Sequence, residues 1–500
     1  MSSAGVHPSD LEPALVAART YATRRWRARI DAGTVISLMV CLLFTIPSSQ
    51  ILPQLTIAGR PALVLALGLF AWWVISRLSP WLVMVGPQPL RWAAMVYLLS
   101  ILLSYFAGLL RGLPTLEANR QDFTLLVTFE FLGVMLMTAD GLRNWERFWN
   151  VLRVFVWCAG FMAVVGLIQS ILKIDVAQYL TLPGLHKNVD LAGFETRGTS
   201  GNVRVASTAT HYIEFGTVMA MAVPFAIHFA KFAPTSRSRT AYGILALLSA
   251  AVIPMTISRT GIVALFGALA VMFVSVWGWR MRYNIMVVAI VLMGGLVVGK
   301  PGLLGTLRSM FLASSESDNS IQGRTDDYSY VARWFAERPW LGRGPGTLIP
   351  DLYLVLDNQW LLTLVTGGLI GVAAMAALHI TCISLAGIAL RRSTRPADRH
   401  ICAALISSQV VAILVAATFD SFSFTTFSFT LALMSGLAGA VWRFTHPART
   451  VRTARPRWLV ERAVAPNLRP APRTSPPAAL TETGHRLVRT LQRARPSNGS

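Results

Sequence analysis

Apolar residues fall in twelve blocks along the chain, near 33–53, 61–80, 90–110, 122–139, 151–172, 211–232, 240–257, 260–279, 283–299, 359–389, 400–418 and 422–443. A helix of about 20 residues crosses a hydrocarbon core of about 30 Å. No water reaches the peptide groups there, so apolar runs of this length predict helices. The connections alternate in charge. Arg77 and Arg91, then Arg143 and Arg147, then Lys231, Arg237 and Arg239, then Arg280 and Arg282, then Arg391, Arg392, Arg395 and Arg399 share one side, together with both tails. The short connections on the other side are poorer in basic residues, with Arg60 in one and Asp420 and no basic residue in another. Basic loops face the cytoplasm, so an even number of spans places both termini there.

This pattern gives an all-α polytopic membrane protein with about 12 transmembrane helices. The expected organisation is a basic cytoplasmic tail (1–31), nine helices (32–299), a large extracytoplasmic loop (300–358), three further helices (359–444) and a disordered basic cytoplasmic tail (445–500). An earlier long outer connection lies near 173–210. Within the large loop, Tyr328, Val331, Trp334 and Phe335 have helical spacing, with Thr325 as a predicted N-cap and Pro339 as the stop. Trp334, Trp340 and Trp360 suit the membrane–water interface, so short interfacial helices are expected here.

Composition agrees. Hydrophobic residues are 54% of the chain and charged residues 14%, against roughly 25% charged in soluble domains. The net charge of +22 is spread over turns and tails and forms no basic domain, which argues against nucleic acid and for anionic membrane lipid. Cys41, Cys158, Cys382 and Cys402 all lie in apolar blocks and lack the paired spacing of a zinc or redox motif.

Candidate chemistry concentrates in 256–371. Thr256-Ile257-Ser258-Arg259-Thr260-Gly261 places an arginine in a tight outer turn, where the positive-inside bias makes it unexpected. The large loop carries Gly323-Arg324-Thr325 and then Arg338-Pro339-Trp340-Leu341-Gly342-Arg343-Gly344-Pro345-Gly346. Asp357 and Asn358 open the following span, either as helix caps or as reactive groups. Arg204, His211 and Glu214 approach an earlier span, the last two on one helix face. Glu130, central in another span, has no evident partner in the sequence.

In order and spacing these motifs, ending Asn358…Leu361-Leu362…Gly368-Leu369-Ile370-Gly371, resemble the O-antigen ligase and O-antigen polymerase family of bacterial membrane proteins. The resemblance covers about residues 30–445 and is strongest over 256–371. It implies a fold like the membrane glycosyltransferases of GT-C type. It also implies transfer of a glycan from undecaprenyl pyrophosphate to an acceptor hydroxyl at the outer face of the bacterial cell membrane, with no cofactor, metal or nucleotide sugar. Glycan donor, hydroxyl acceptor, membrane lipid and other polysaccharide assembly proteins are the partners implied. The family's outer-face arginines match Arg259 and Arg324, which by resemblance hold the donor's pyrophosphate. Ligases of the family carry a histidine before the asparagine, where this chain has Asp357, and many members have an acidic residue at the position of Thr366. These departures favour a polymerase, or a ligase with another acceptor. A twelve-helix secondary transporter and a non-catalytic member of a glycan assembly complex are the competing readings. No half repeat supports the transporter, and the polar residues gather at outer helix ends instead of the midplane.

Overall fold

The structure is a computed structural model that describes residues 31–53, 55, 59–78, 87–187, 195–197, 202–299, 319–350 and 352–446; for 195–197, 202, 203, 296, 297, 299 and 319–326 it describes the backbone alone. The expectations for the two tails therefore lie outside the described residues, save for 31, 445 and 446, as does most of the large loop before 319.

Every predicted apolar block contains a helix, although the first, 33–53, is helical only to Thr45: α1 (Ala32–Thr45), α2 (Pro61–Leu78), α3 (Pro89–Leu110), α4 (Thr115–Gly141), α5 (Trp145–Leu172), α6 (Tyr212–Phe232), α7 (Ser236–Met255), α8 (Arg259–Ser275), α9 (Trp279–Gly299), α11 (Gln359–Arg392), α12 (Pro396–Ala416) and α13 (Thr425–Thr445). Among the described residues, nine helices are long and apolar enough to cross a membrane, and α1 and α8 are shorter apolar helices. The protein is an all-α polytopic membrane protein. The loop helix α10 (Asn319–Glu337) begins before Thr325, so that residue lies inside it instead of capping it. Four strands of two or three residues, Gln50–Ile51 with His186–Lys187 and Glu195–Arg197 with Asn202–Arg204, only tie loops together.

The centre of the bundle is formed by α6 and α13, which are almost wholly buried, with α12 beside them. Several polar groups inside pair across helices. His379 hydrogen-bonds Gln409 at 3.0 Å, and Gln409 donates onward to Ser435 at 2.9 Å, joining α11, α12 and α13. At the arginine-rich end, buried Asp140 of α4 accepts from Trp73 of α2 at 2.9 Å, from Arg91 of α3 at 2.9 and 2.8 Å, and from Arg77. A buried carboxylate is tolerable only with such partners. This clamp uses two of the arginines that set the charge asymmetry.

The predicted span 359–389 is not one straight helix. Gly368 has φ 64° and ψ −166°, which breaks α11. Thr363 meets Met375 at 3.7 Å, and the rings of Trp360 and His379 are 6.2 Å apart. In a continuous helix these pairs would be about 18 and about 28 Å apart. Residues 359–367 therefore fold back against the first turns of the long segment that follows, forming a helical hairpin. The free peptide groups at the break are taken by the preceding loop. Arg343 N–H donates to Val365 C=O and Gly344 N–H to Thr366 C=O, both at 3.0 Å, while Leu369 N–H donates to Pro339 C=O at 2.8 Å and Ile370 N–H to Trp340 C=O at 3.2 Å. Ser104 of α3 adds a hydroxyl to Thr366 C=O at 2.7 Å.

Candidate functional site

The end of the bundle opposite the Asp140 clamp carries the site residues singled out in the sequence, while Glu130 is buried midway along α4. Arg259 is the first residue of α8, after a sharp turn in which Ile257 takes φ 49°. Ser258 caps the helix, accepting from Gly261 N–H at 3.5 Å. Here α8 meets α6 closely: a Cβ on Gly216 would lie 3.2 Å from the Thr256 hydroxyl and 3.4 Å from Gly261 Cα. Arg259 is half-buried. Farther down, a Cβ on Gly267 of α8 would lie 2.8 Å from Leu414 of α12, so the middle of α8 lies against the last turns of α12.

The end of α12 in turn holds the start of the hairpin. Asn358 caps residues 359–367, accepting from Leu361 N–H at 3.1 Å, and its amide donates to Ala417 C=O at 3.3 Å. Gln359 N–H donates to Phe419 C=O at 3.2 Å, and the Gln359 side chain accepts from Phe422 N–H at 2.9 Å. Asp357 precedes the cap and is exposed. Of the two residues proposed as caps by the sequence, Asn358 therefore does that work and Asp357 does not.

Arg324 lies on α10, and its side chain is outside the described residues. The helix itself is anchored: Val331 packs with Leu348, Leu356 and Val365, so α10 rests on the hairpin. Arg343 is buried, with its guanidinium 5.3 Å from the Trp334 ring centre and 4.7 Å from that of Tyr353. The Tyr353 hydroxyl donates to Glu117, which also pairs with Arg111. Arg343 thus fastens the loop to α3 and α4.

Three candidates near α6 are occupied structurally. Arg204 lies over the Tyr212 ring at 4.2 Å and donates to its hydroxyl. His211 caps α6, its Nδ1 accepting from Ile213 N–H at 3.3 Å, and its ring packs on Tyr212 and Phe424. Burial, aided by the charge of Arg204, pushes His211 down to about 4. It is neutral at ordinary pH, and with Nδ1 accepting, the proton sits on Nε2, which suits a donor and not a base. Glu214 accepts from Thr210 N–H at 2.8 Å and, across the bundle, from Thr426 and Phe427 N–H at 2.6 and 3.1 Å. It supplies the missing cap of α13 from another helix. Buried Arg60 stands nearby, donating to Ser48 C=O at 2.7 Å and to the Thr210 hydroxyl at 3.0 Å.

The sequence reading passed over Asp420 as a topology marker. It sits in the turn between α12 and α13, just before a 3₁₀ turn (Ser421–Ser423). Burial first, and then the charge of Asp357, push its carboxyl up to about 7, against a hydrogen bond with Ser423. Gln359, which fixes this turn against the hairpin, was also missed; a lone acid and a lone amide have no periodicity to reveal them.

A broken helix locked by a glycine-rich loop, with an arginine and carboxylates collected on the same end of an apolar bundle, marks the candidate site of this polytopic membrane protein. Residues 244–376, from within α7 to the hairpin, match the family model described as O-antigen ligase. This match agrees with what the motifs implied and supports a polysaccharide ligase or polymerase role. Comparison with curated proteins gives no match.

Proposed function

We propose that the protein is a glycosyltransferase that moves a glycan from undecaprenyl pyrophosphate to an acceptor hydroxyl at the extracytoplasmic face of the bacterial cell membrane. The observation that carries this reading is the placement of Asp357, inside the matched O-antigen ligase segment, next to a helix start that Asn358 already caps. Arg259, at the start of α8, stands on the helix that packs against α12, to whose end Asn358 is hydrogen-bonded.

In this reading Arg259 and Arg324 bind the pyrophosphate. Arginine stays charged and grips phosphate with paired N–H donors. Negative charge grows on the leaving pyrophosphate as the glycosyl bond breaks, and fixed guanidinium groups at a low-dielectric surface stabilise it. Asp357 accepts the proton of the attacking hydroxyl. Arg343, whose guanidinium is taken up by two aromatic rings, holds the loop in place.

Replacement in the native host tests this. Arg259→Ala and Arg324→Ala should leave the protein in the membrane and cut glycan transfer by about 10²-fold or more, while lipid-linked glycan accumulates. Normal surface glycan from both variants would remove the pyrophosphate assignment. The accumulated species separates the two roles: a single repeat on lipid indicates a polymerase, and a long chain on lipid indicates a ligase. A cysteine introduced near residue 190 or 320 should react with an impermeant thiol reagent from outside; reaction only after permeabilisation would invert the orientation.

A further inference from the structure

We propose that Asp420 is a positioning residue for the transfer reaction, paired with Asp357 so that the two carboxylates act as one proton-accepting unit toward the acceptor hydroxyl. This rests on the glycan-transfer reading above and adds to it a group outside the matched segment 244–376.

The geometry comes first. Three hydrogen bonds hold the 417–422 turn against the start of the hairpin: Asn358 to Ala417, Gln359 N–H to Phe419, and Phe422 N–H to Gln359. They hold the turn that carries Asp420 against the first residues of the hairpin, which Asp357 immediately precedes. Aspartates in such places ordinarily cap helices, but both helix starts are already served. Asn358 caps residues 359–367, and Glu214 of α6 takes the first amides of α13. Asp420 makes no side-chain cap for its own 3₁₀ turn. Two carboxylates on segments joined in this way disfavour each other's ionisation. Burial together with the charge of Asp357 brings Asp420 up to about 7.

The chemistry follows. An alcohol is a poor nucleophile until its proton has somewhere to go, and an isolated aspartate is too weak a base to take it well near neutrality. The pair begins the step with both carboxylates ionised, the form present above about 7. The acceptor oxygen bonds to the anomeric carbon as the bond from that carbon to the phosphate oxygen breaks, and the electron pair leaves on the pyrophosphate. The hydroxyl proton passes to Asp357, and the singly protonated pair then returns it to water. Asp420 acts through Asp357 by raising the basicity of the unit. The charged and titratable groups carried by the elements around this turn are Asp357 before the hairpin, His211 and Glu214 at the start of α6, Arg204 before it, and Arg259 at the start of α8.

The test uses the full-length chain in liposomes and, as donor probe, the lipid-linked fraction extracted from cells that lack the protein. Wild-type kcat should fall as pH drops through about 7. Asp420→Asn should lower kcat at neutral pH by roughly tenfold or more, leave the donor KM unchanged and move the acid limb of the pH profile to lower pH. Asp420→Glu should recover part of the rate, and it serves as the deciding variant if the Asn form does not fold. Wild-type kcat with an unmoved limb in Asp420→Asn overturns the pairing. Asp357→Asn and Arg259→Ala, run alongside, keep the readings distinct. If they stop transfer while Asp420→Asn does not, only the pairing fails. If they too transfer at the wild-type rate, the glycan-transfer assignment fails and the pairing with it.

Discussion

Gly342 and Gly368 lie on two stretches of backbone in direct contact: a Cβ on Gly342 would sit 2.4 Å from the carbonyl carbon of Thr366, and one on Gly368 would sit 2.3 Å from that of Trp340. Both have positive φ, 67° and 64°. The loop can reach the exposed peptide groups of the broken helix only because neither residue carries a side chain.

Gly368→Ala should therefore be among the most damaging single-methyl changes in the protein. Backbone strain alone costs about 1–3 kcal/mol, and the clash is with backbone that cannot turn aside. The expected outcome is a clear fall in Tm of the detergent-purified protein, with transfer lost in step. Gly243→Ala, where a Cβ meets nothing within 4 Å, is the control and should leave Tm unchanged. A wild-type Tm for Gly368→Ala would mean that the loop and the break do not interlock.

Asp357 and Asn358 should separate cleanly. Asn358→Ala removes a cap and should cost about 1 kcal/mol of stability, read as a lower Tm with residual transfer. Asp357→Asn should keep Tm and abolish transfer, and a histidine there should retain more activity than the asparagine. Equal transfer by the Asn variant and the wild type would return Asp357 to a purely structural role.

Glu214 should behave as a structural residue despite its position among the candidates. Its two oxygens take three backbone N–H groups. Glu214→Ala strands buried donors, which cost about 1–3 kcal/mol when unmet, and should lower Tm and yield. Per folded molecule, transfer should stay near normal; loss of turnover without loss of Tm would contradict this.

Asp420 also predicts a trend of stability with pH. Its carboxyl rises from 3.8 to about 7 on folding, so the folded state holds the proton more tightly than the unfolded chain. That contribution is complete below about 4 and is lost as pH climbs to about 7. Asp420→Asn removes the ionisation, so its Tm should exceed the wild-type value at pH 8, with the gap closing toward pH 4. His211, lowered to about 4, works in the opposite direction as pH falls, but it is present in both proteins and cancels in the difference. A gap that does not vary with pH would show that Asp420 is solvated like an ordinary surface acid.

The positions of the helices were legible because hydrocarbon admits so few backbone solutions that hydropathy alone marks them. The break in α11 was not, since Thr366-Gly367-Gly368-Leu369 sits within unbroken apolar sequence and reads as span. Only the loop that satisfies its peptide groups, more than twenty positions earlier, makes the break affordable. The loop helix was recognised from Val331 and Trp334, yet its start was misplaced, because a polar stretch offers several competing caps. At the site, Arg259 and Asp357 stood out as charges at span edges. The surroundings of Glu214 and Asp420 were not legible for one reason: what holds them lies on distant elements, Thr426 in one case and Gln359 in the other, and sequence spacing carries no trace of such contacts.

The hairpin closes where Thr363 meets Met375, and the matched family segment ends at residue 376, one position later. The matched segment thus stops just where the chain has finished bracing its own fold-back. Domain exchange between relatives should respect that seam. A graft joined after His379 carries loop, break and brace together, whereas one joined between 346 and 368 would leave the carbonyls of Val365 and Thr366 facing a foreign loop.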